Sequence, residues 1–302
     1  MDTPIGVAVD SGRRDTKGLG VRIAAPARDH FARFRLHLLR HLPAPIKSLV
    51  EEPLRRPALP LRLAWVEIVQ SYRRSLLGPF WITLNLVIFT IAMTFVYGAL
   101  FSMPTAEYAA FLACGMIVWS WVSALLTEAG NTFINNGHFV KNTSIDKSVL
   151  IWTFVYRQVI ILAHHLIVYV ALILLGVIQL SRYTALALPA FVVLFLLSVP
   201  ITAIMSILFP RFRDLARLIA SLILVILLIT PIFWQATMMT GWRTLVYLAN
   251  PIYYIVEFAR APLLGKPPDQ IVVAVVLAMT AAIWVLGAAV YRRYAKYVVF
   301  WL

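Results

Sequence analysis

The sequence predicts an all-α integral membrane protein with six transmembrane helices. An amphipathic interfacial helix precedes the first span, and two short re-entrant helices precede the last. Three observations predict this. Of 302 residues, 61% are hydrophobic and only 13% charged, too little polar surface to coat a water-soluble globule of this length. Six stretches are apolar and nearly free of charge over roughly the 20 residues needed to cross a bilayer. The 27 Lys and Arg are also unevenly spread. With the N-terminus inside, only Arg182, Arg243, Arg260 and Lys266 fall in outside segments, which places both termini in the cytoplasm.

The net charge of +14 could speak for nucleic acid, but the basic residues sit before and between the spans. There the nearer partner is the anionic headgroup of membrane lipids, so composition argues against nucleic acid. The single cysteine, Cys114, lies inside an apolar run and allows no internal disulfide. The N-terminus lacks the apolar core of a signal peptide, and no cleavage is expected.

Residues 1–60 read as a cytoplasmic tail, aperiodic to about residue 28. Over 29–42, Phe31, Phe34, Leu38, Leu39 and Leu42 oppose Arg33, His37, Arg40 and His41, a short basic amphipathic helix. Pro43, Pro45, Pro53, Pro57 and Pro60 then predict a stiff connector. The transmembrane domain covers 61–302. Over 61–77, Leu61, Trp65, Ile68, Val69, Tyr72 and Leu76 fall on one helical face and Glu67, Gln70, Ser71 and Arg74 on the other. Gly78 and Pro79 bend the chain into the first span, 80–101.

The second span is expected over 109–126, and the polar loop 127–148 is long enough for one or two short helices. A long third span, 149–178, contains Arg157, His164 and His165. The fourth and fifth follow over 184–208 and 218–234, with Pro231 kinking the end of the fifth. Residues 240–265 hold two apolar pieces too short to span, split by Asn250 and Pro251, and read as re-entrant or interfacial. The last span is 271–290.

Charge inside a membrane is scarce and should face protein or water. The spacing of Arg157, His164 and His165 puts all three on one side of the third span. Either they line a hydrated conduit, or Arg157 snorkels to the interface and the histidines bond neighbouring helices. Aromatic residues have a similar double reading. Trp81, Trp152, Trp234, Trp242 and Trp301 sit near span ends, as interfacial belts do. Phe95, Tyr97, Trp119 and Trp121 lie deeper and either pack or offer flat faces to sugar rings. Phosphate-loop, HExxH and GxSxG patterns are absent, so no nucleotide site of its own is expected.

The stretch WVEIVQSYRRSLLGPFW, with Trp65, Glu67, Tyr72, Arg73, Arg74, Gly78, Pro79 and Trp81, resembles the opening of ABC-2 type polysaccharide-export permeases, nearest to those for O-antigen. Three later stretches agree in order: the loop of Glu128, Asn131, Asn136 and Lys141; RQVIILAHHLIVY; and NPIYYIVEFARAPLLG. The resemblance implies a multi-pass homodimer in the bacterial inner membrane. Two copies of a separate cytoplasmic ABC ATPase would drive it, and ATP and magnesium would bind that partner, leaving this chain without a cofactor or catalytic residue.

By the same resemblance Glu128, Asn131, Asn136 and Lys141 belong to the ATPase-coupling loop. Trp65, Glu67, Tyr72, Arg73, Arg74, Gly78 and Pro79 belong to the interfacial helix and cytoplasmic gate, and Asn250, Pro251, Tyr254, Glu257 and Arg260 to a periplasmic gate. The implied cargo is a lipid-linked polysaccharide such as O-antigen. Two alternatives are an ABC-2 permease for a small hydrophobic compound or drug and a membrane-embedded glycan-modifying enzyme. The second needs reactive groups outside, where the only acids are Glu107, Glu257 and Asp269.

Overall fold

The computed structural model describes Leu39 and residues 42–101, 103–143 and 145–302, and among these all regular structure is helical. The basic helix expected over 29–42 lies outside the described residues but for Leu39 and Leu42, and the tail 1–28 lies wholly outside them. In order the helices are α1 (Ala44–Arg55), α2 (Ala58–Ser71), α3 (Phe80–Leu100) and α4 (Thr105–Thr127). Then come the short α5 (Thr132–Asn135) and α6 (Gly137–Asn142), α7 (Lys147–Leu174), α8 (Ala187–Arg211) and α9 (Arg213–Ile229). The chain finishes with α10 (Leu245–Leu248), α11 (Pro251–Leu263), α12 (Gln270–Tyr294) and α13 (Val298–Trp301).

The proline-rich connector is instead a helix. Pro45 sits in the first turn of α1, where a missing N–H costs nothing, and the helix runs through Pro53. Without an N–H on Pro53, the Leu49 carbonyl four residues earlier has no helical donor. The Trp152 indole N–H of α7 donates to it at 3.1 Å, and Leu49, Val50 and Pro53 are buried against α7 and α12. A side chain a hundred residues away thus repairs a local defect that reads as a helix breaker.

α2 ends at Ser71, short of the expected 77. Arg74 takes a left-handed backbone (φ 68°), Gly78 does the same (φ 56°), and Leu76 is left 97% exposed off the helix. The face that packs is also different. Pro60, Ala64 and Ile68, one stripe of small or medium side chains, bury against α7, while Leu61, Trp65 and Val69 point outward. Small residues let the two backbones approach, and this outweighs the larger apolar area on the other side.

Among the described residues five helices of at least 18 residues are apolar enough to cross a membrane: α3, α4, α7, and α8 and α12 with their adjoining turns. The fifth expected span, 218–234, falls on α9, which begins earlier and is 17 residues long. At 1.5 Å per residue it reaches about 26 Å, at the short end of the roughly 17–25 residues with which helices cross a bilayer. Pro231 does not kink the helix but ends it. Thr230 before it is extended (φ −86°, ψ 132°), the conformation a following proline imposes.

The core gathers around α4, the most buried of the spanning helices. α8 and α12 pack closely enough that a Cβ on Gly287 would lie 2.5 Å from Pro200 Cβ and 2.9 Å from its Cα, so only glycine fits. Asp146 ties two helix ends together. Its Oδ1 accepts from the Ser148 N–H at the start of α7 (2.7 Å) and from the Tyr291 hydroxyl near the end of α12 (3.0 Å).

Trp152→Phe keeps a ring but removes the donor to Leu49. The expected result is a loss of about 1–3 kcal/mol, the cost of an orphaned buried carbonyl, read as a lower unfolding midpoint with faster hydrogen exchange in α1.

Candidate functional site

At the end of the bundle where the chain's Lys and Arg collect, α4 finishes at Thr127 and the chain doubles back through a 3-10 turn, Ala129–Asn131, into α5 and α6. The return is tight because Gly130 lies flush on α8, where a Cβ would fall 2.1–2.4 Å from the Phe209 ring. The loop is pinned internally as well. The Thr132 hydroxyl donates to Ala129 O (2.7 Å), and the Asn136 amide donates to Thr132 O (3.0 Å).

This folding brings together residues expected in three separate roles. Arg157 of α7 donates from Nη2 to Glu128 Oε2 at 2.5 Å and lies over the Phe154 ring at 5.0 Å. Glu128 stays half exposed, so the pair contributes only about 0–1 kcal/mol. Glu67 of α2, bonded to Asn136, faces the same space. These residues, with Gln70, Asn131 and Asn135, surround a polar cavity of about 510 Å³. Burial raises the Glu67 carboxyl above its ordinary value, offset in part by Arg157 and the Asn136 bond. Burial likewise pushes the Tyr72 phenol up.

A second cavity, about 380 Å³, lies next along α7, with Tyr72, Asn85, Met116, Ser120 and His165 on its wall. Arg157, Ile161 and His165 follow one stripe of α7 at four-residue spacing, so the two cavities stack along it. His165 Nδ1 pairs with Ser120 Oγ at 3.0 Å. His164 does not share this wall. Its Nδ1 bonds back to Ile160 O (2.8 Å), and its carbonyl accepts from the Thr83 hydroxyl (3.0 Å). The expectation that all three charged residues share one side therefore holds for Arg157 and His165 alone.

The deep aromatics do not line either cavity. Trp119 and Trp121 are walled into the core, and Trp121 donates its indole N–H to Ser198 Oγ (2.7 Å). Tyr97 stacks between Phe233 and Phe101, with ring centroids 5.7 and 5.8 Å away. Phe95 stands exposed at the rim of an apolar groove between α3, α4 and α7. Of the interfacial set, Glu67 and Tyr72 reach the cavities; Trp65, Arg73, Arg74, Gly78 and Pro79 do not. Lys141 also stands apart, exposed on α6 beside His138 and Phe139.

At the opposite end, Asn250 caps α11 by accepting from the Ile252 N–H (3.0 Å), with Pro251 in the first turn. Its amide donates to Thr230 Oγ1 (2.7 Å), and the Tyr254 hydroxyl donates to Leu248 O (2.9 Å). Arg260 is 3% exposed. It donates to Pro231 O (2.6 Å), pairs with Glu257 and lies over the Phe111 ring at 4.2 Å. All five residues expected at a gate sit in this region, and Asn250, Glu257 and Arg260 bind it firmly together.

Sequence reasoning missed Ser120, Asn85, Gln70 and Asn135. A signal existed for the first: Ser120, Ser123 and Thr127 recur at helical spacing in a charge-free span and mark a polar stripe on α4.

Glu67→Gln tests the buried carboxyl. Burial favours the protonated form, so its contribution to stability is full below the ordinary pKa of 4.5 and is lost as pH rises through the raised folded value. Thermal melts above that pH should show the Gln variant unfolding at higher temperature than the parent and with a flatter pH dependence.

A family profile described as ABC-2 type transporter matches residues 61–264, more than half of the chain. Over 187 residues the chain is 27% identical to an O-antigen export system permease protein RfbA of Klebsiella pneumoniae, covering 60% of this chain and 70% of the relative. A second protein of that name from the same organism is 20% identical over 223 residues, 74% of this chain and 86% of the relative.

Proposed function

We propose that this chain, which belongs to the ABC-2 type transporter family, is the permease of an ATP-driven exporter carrying a lipid-linked, O-antigen-like polysaccharide across the bacterial inner membrane. The O-antigen export permeases it is similar to support the cargo. Two copies of the chain form the conduit, both termini face the cytoplasm, and two copies of a separate ATPase bind ATP and magnesium below.

One observation carries the mechanism: a single loop supplies both a cavity wall and an exposed tip. Glu128, Asn131 and Asn136 face the cavity, while Ile134, Phe139 and Lys141 face outward. An apolar and basic tip suits docking on a partner, and the expected coupling set divides accordingly. When ATP closes the partner subunits, the tip moves. The wall moves with it and shifts the Glu128–Arg157 pair at the mouth of the stacked cavities. The outward row of Leu61, Trp65 and Val69 on α2 meets lipid or the second copy.

Deleting the gene should abolish surface polysaccharide, measured by gel and sugar analysis of the envelope. Changed drug sensitivity with normal surface glycan would move the cargo to a small hydrophobic compound, which the apolar groove of about 460 Å³ would suit. Phe139→Asp or Lys141→Glu should cut co-purification of the ATPase severalfold without lowering the unfolding midpoint of the chain; undiminished co-purification would remove the tip from the docking surface.

A further inference from the structure

We propose that the 510 Å³ cavity between α2, the 129–142 loop and α7 binds an uncharged saccharide unit by its hydroxyls and does not take the phosphate of a lipid carrier. The proposal rests on the polysaccharide-export reading above and assigns one step of it, the cytoplasmic capture of sugar, to particular side chains.

Size is the first argument, since the volume lies within the range of small-molecule sites. The lining is the second. A sugar ring presents paired hydroxyls that both donate and accept, and planar amides and carboxylates meet such pairs two bonds at a time. Gln70 and Asn135 line the cavity, and their amides have no hydrogen-bond partner among the described residues. Asn131 adds a third amide, held only by a 3.5 Å bond to Thr127 O.

Charge is the third argument, and it decides between sugar and phosphate. Among the described residues the only cation lining the wall is Arg157, already held by Glu128 at 2.5 Å and lying beside a second carboxyl, Glu67. With both acids ionised the cavity carries one net negative charge. With Glu67 protonated, the form burial favours, it is neutral. Neither state of the wall presents an unpaired positive charge to an anion, whereas hydroxyls need no counter-charge.

The test uses the full chain in lipid nanodiscs. The probes are oligosaccharides released by mild acid from the cell's own surface polysaccharide, with inorganic pyrophosphate as competitor and saturation-transfer NMR as readout. Transfer to the oligosaccharide is expected in the parent, at least a fivefold loss in the Gln70→Ala, Asn135→Ala double variant, and no displacement by pyrophosphate. Both side chains are exposed and bond to nothing in the described protein, so the variant keeps its fold. No transfer in the parent, equal transfer in the variant, or displacement by pyrophosphate would each overturn the proposal. A gene deletion separates the two levels: if surface polysaccharide survives deletion, the export reading falls. If it is lost on deletion and the double variant restores it at the parental rate with parental binding, this site alone falls.

Discussion

Where water is excluded, a backbone carbonyl whose helical partner is missing is costly to leave bare, and a side-chain donor is one way to satisfy it. This chain supplies such donors at four places. Trp152 serves Leu49 above Pro53, Arg260 serves Pro231 beyond the end of α9, Tyr108 serves Phe233, and Tyr169 serves Leu263 near the end of α11. Each bond joins segments more than 25 residues apart, so satisfying a local backbone group also fixes a tertiary contact. The bundle's irregular places are therefore among its most strongly tied.

The two ends of the bundle differ in how far this rule is carried. Around α11 the polar groups find partners within the protein, and even the guanidinium of Arg260 is enclosed by a carbonyl, a carboxylate and a ring. Around the 129–142 loop the balance is looser. Arg157 keeps a buried Nε without a partner among the described residues, and the amides of Gln70 and Asn135 face open space. Polar side chains left free beside a cavity suit exchange of partners; polar side chains closed on one another suit rigidity.

The spans were legible because a bilayer imposes one simple requirement, a long run without charge, and α3, α4, α7, α8 and α12 meet it. What escaped depends on partners distant in sequence. A proline series reads as a stiff connector until Trp152 arrives to complete α1. Hydrophobic periodicity ranks Leu61, Trp65 and Val69 as the packing face of α2, yet close approach to α7 is decided by the small size of Ala64. Seventeen residues of α9 look like a longer span because the apolar run continues past Pro231, where the helix cannot. In the site, residue types were legible and their meeting was not. Glu67, Glu128, Asn136 and Arg157 were each singled out, but only the reversal of chain direction at Gly130 places them around one space.

That reversal has a mechanical side. With the backbone of Gly130 flush against the Phe209 ring, there is no slack between the turn and α8. Close-packed interiors resist compression, so a load applied at Phe139 is not absorbed by flexing at the root. On the proposed coupling role it would pass to α8, whose Pro200 lies against Gly287 of α12. A strut of this kind trades compliance for reach, linking a surface loop to helices on the other side of the molecule.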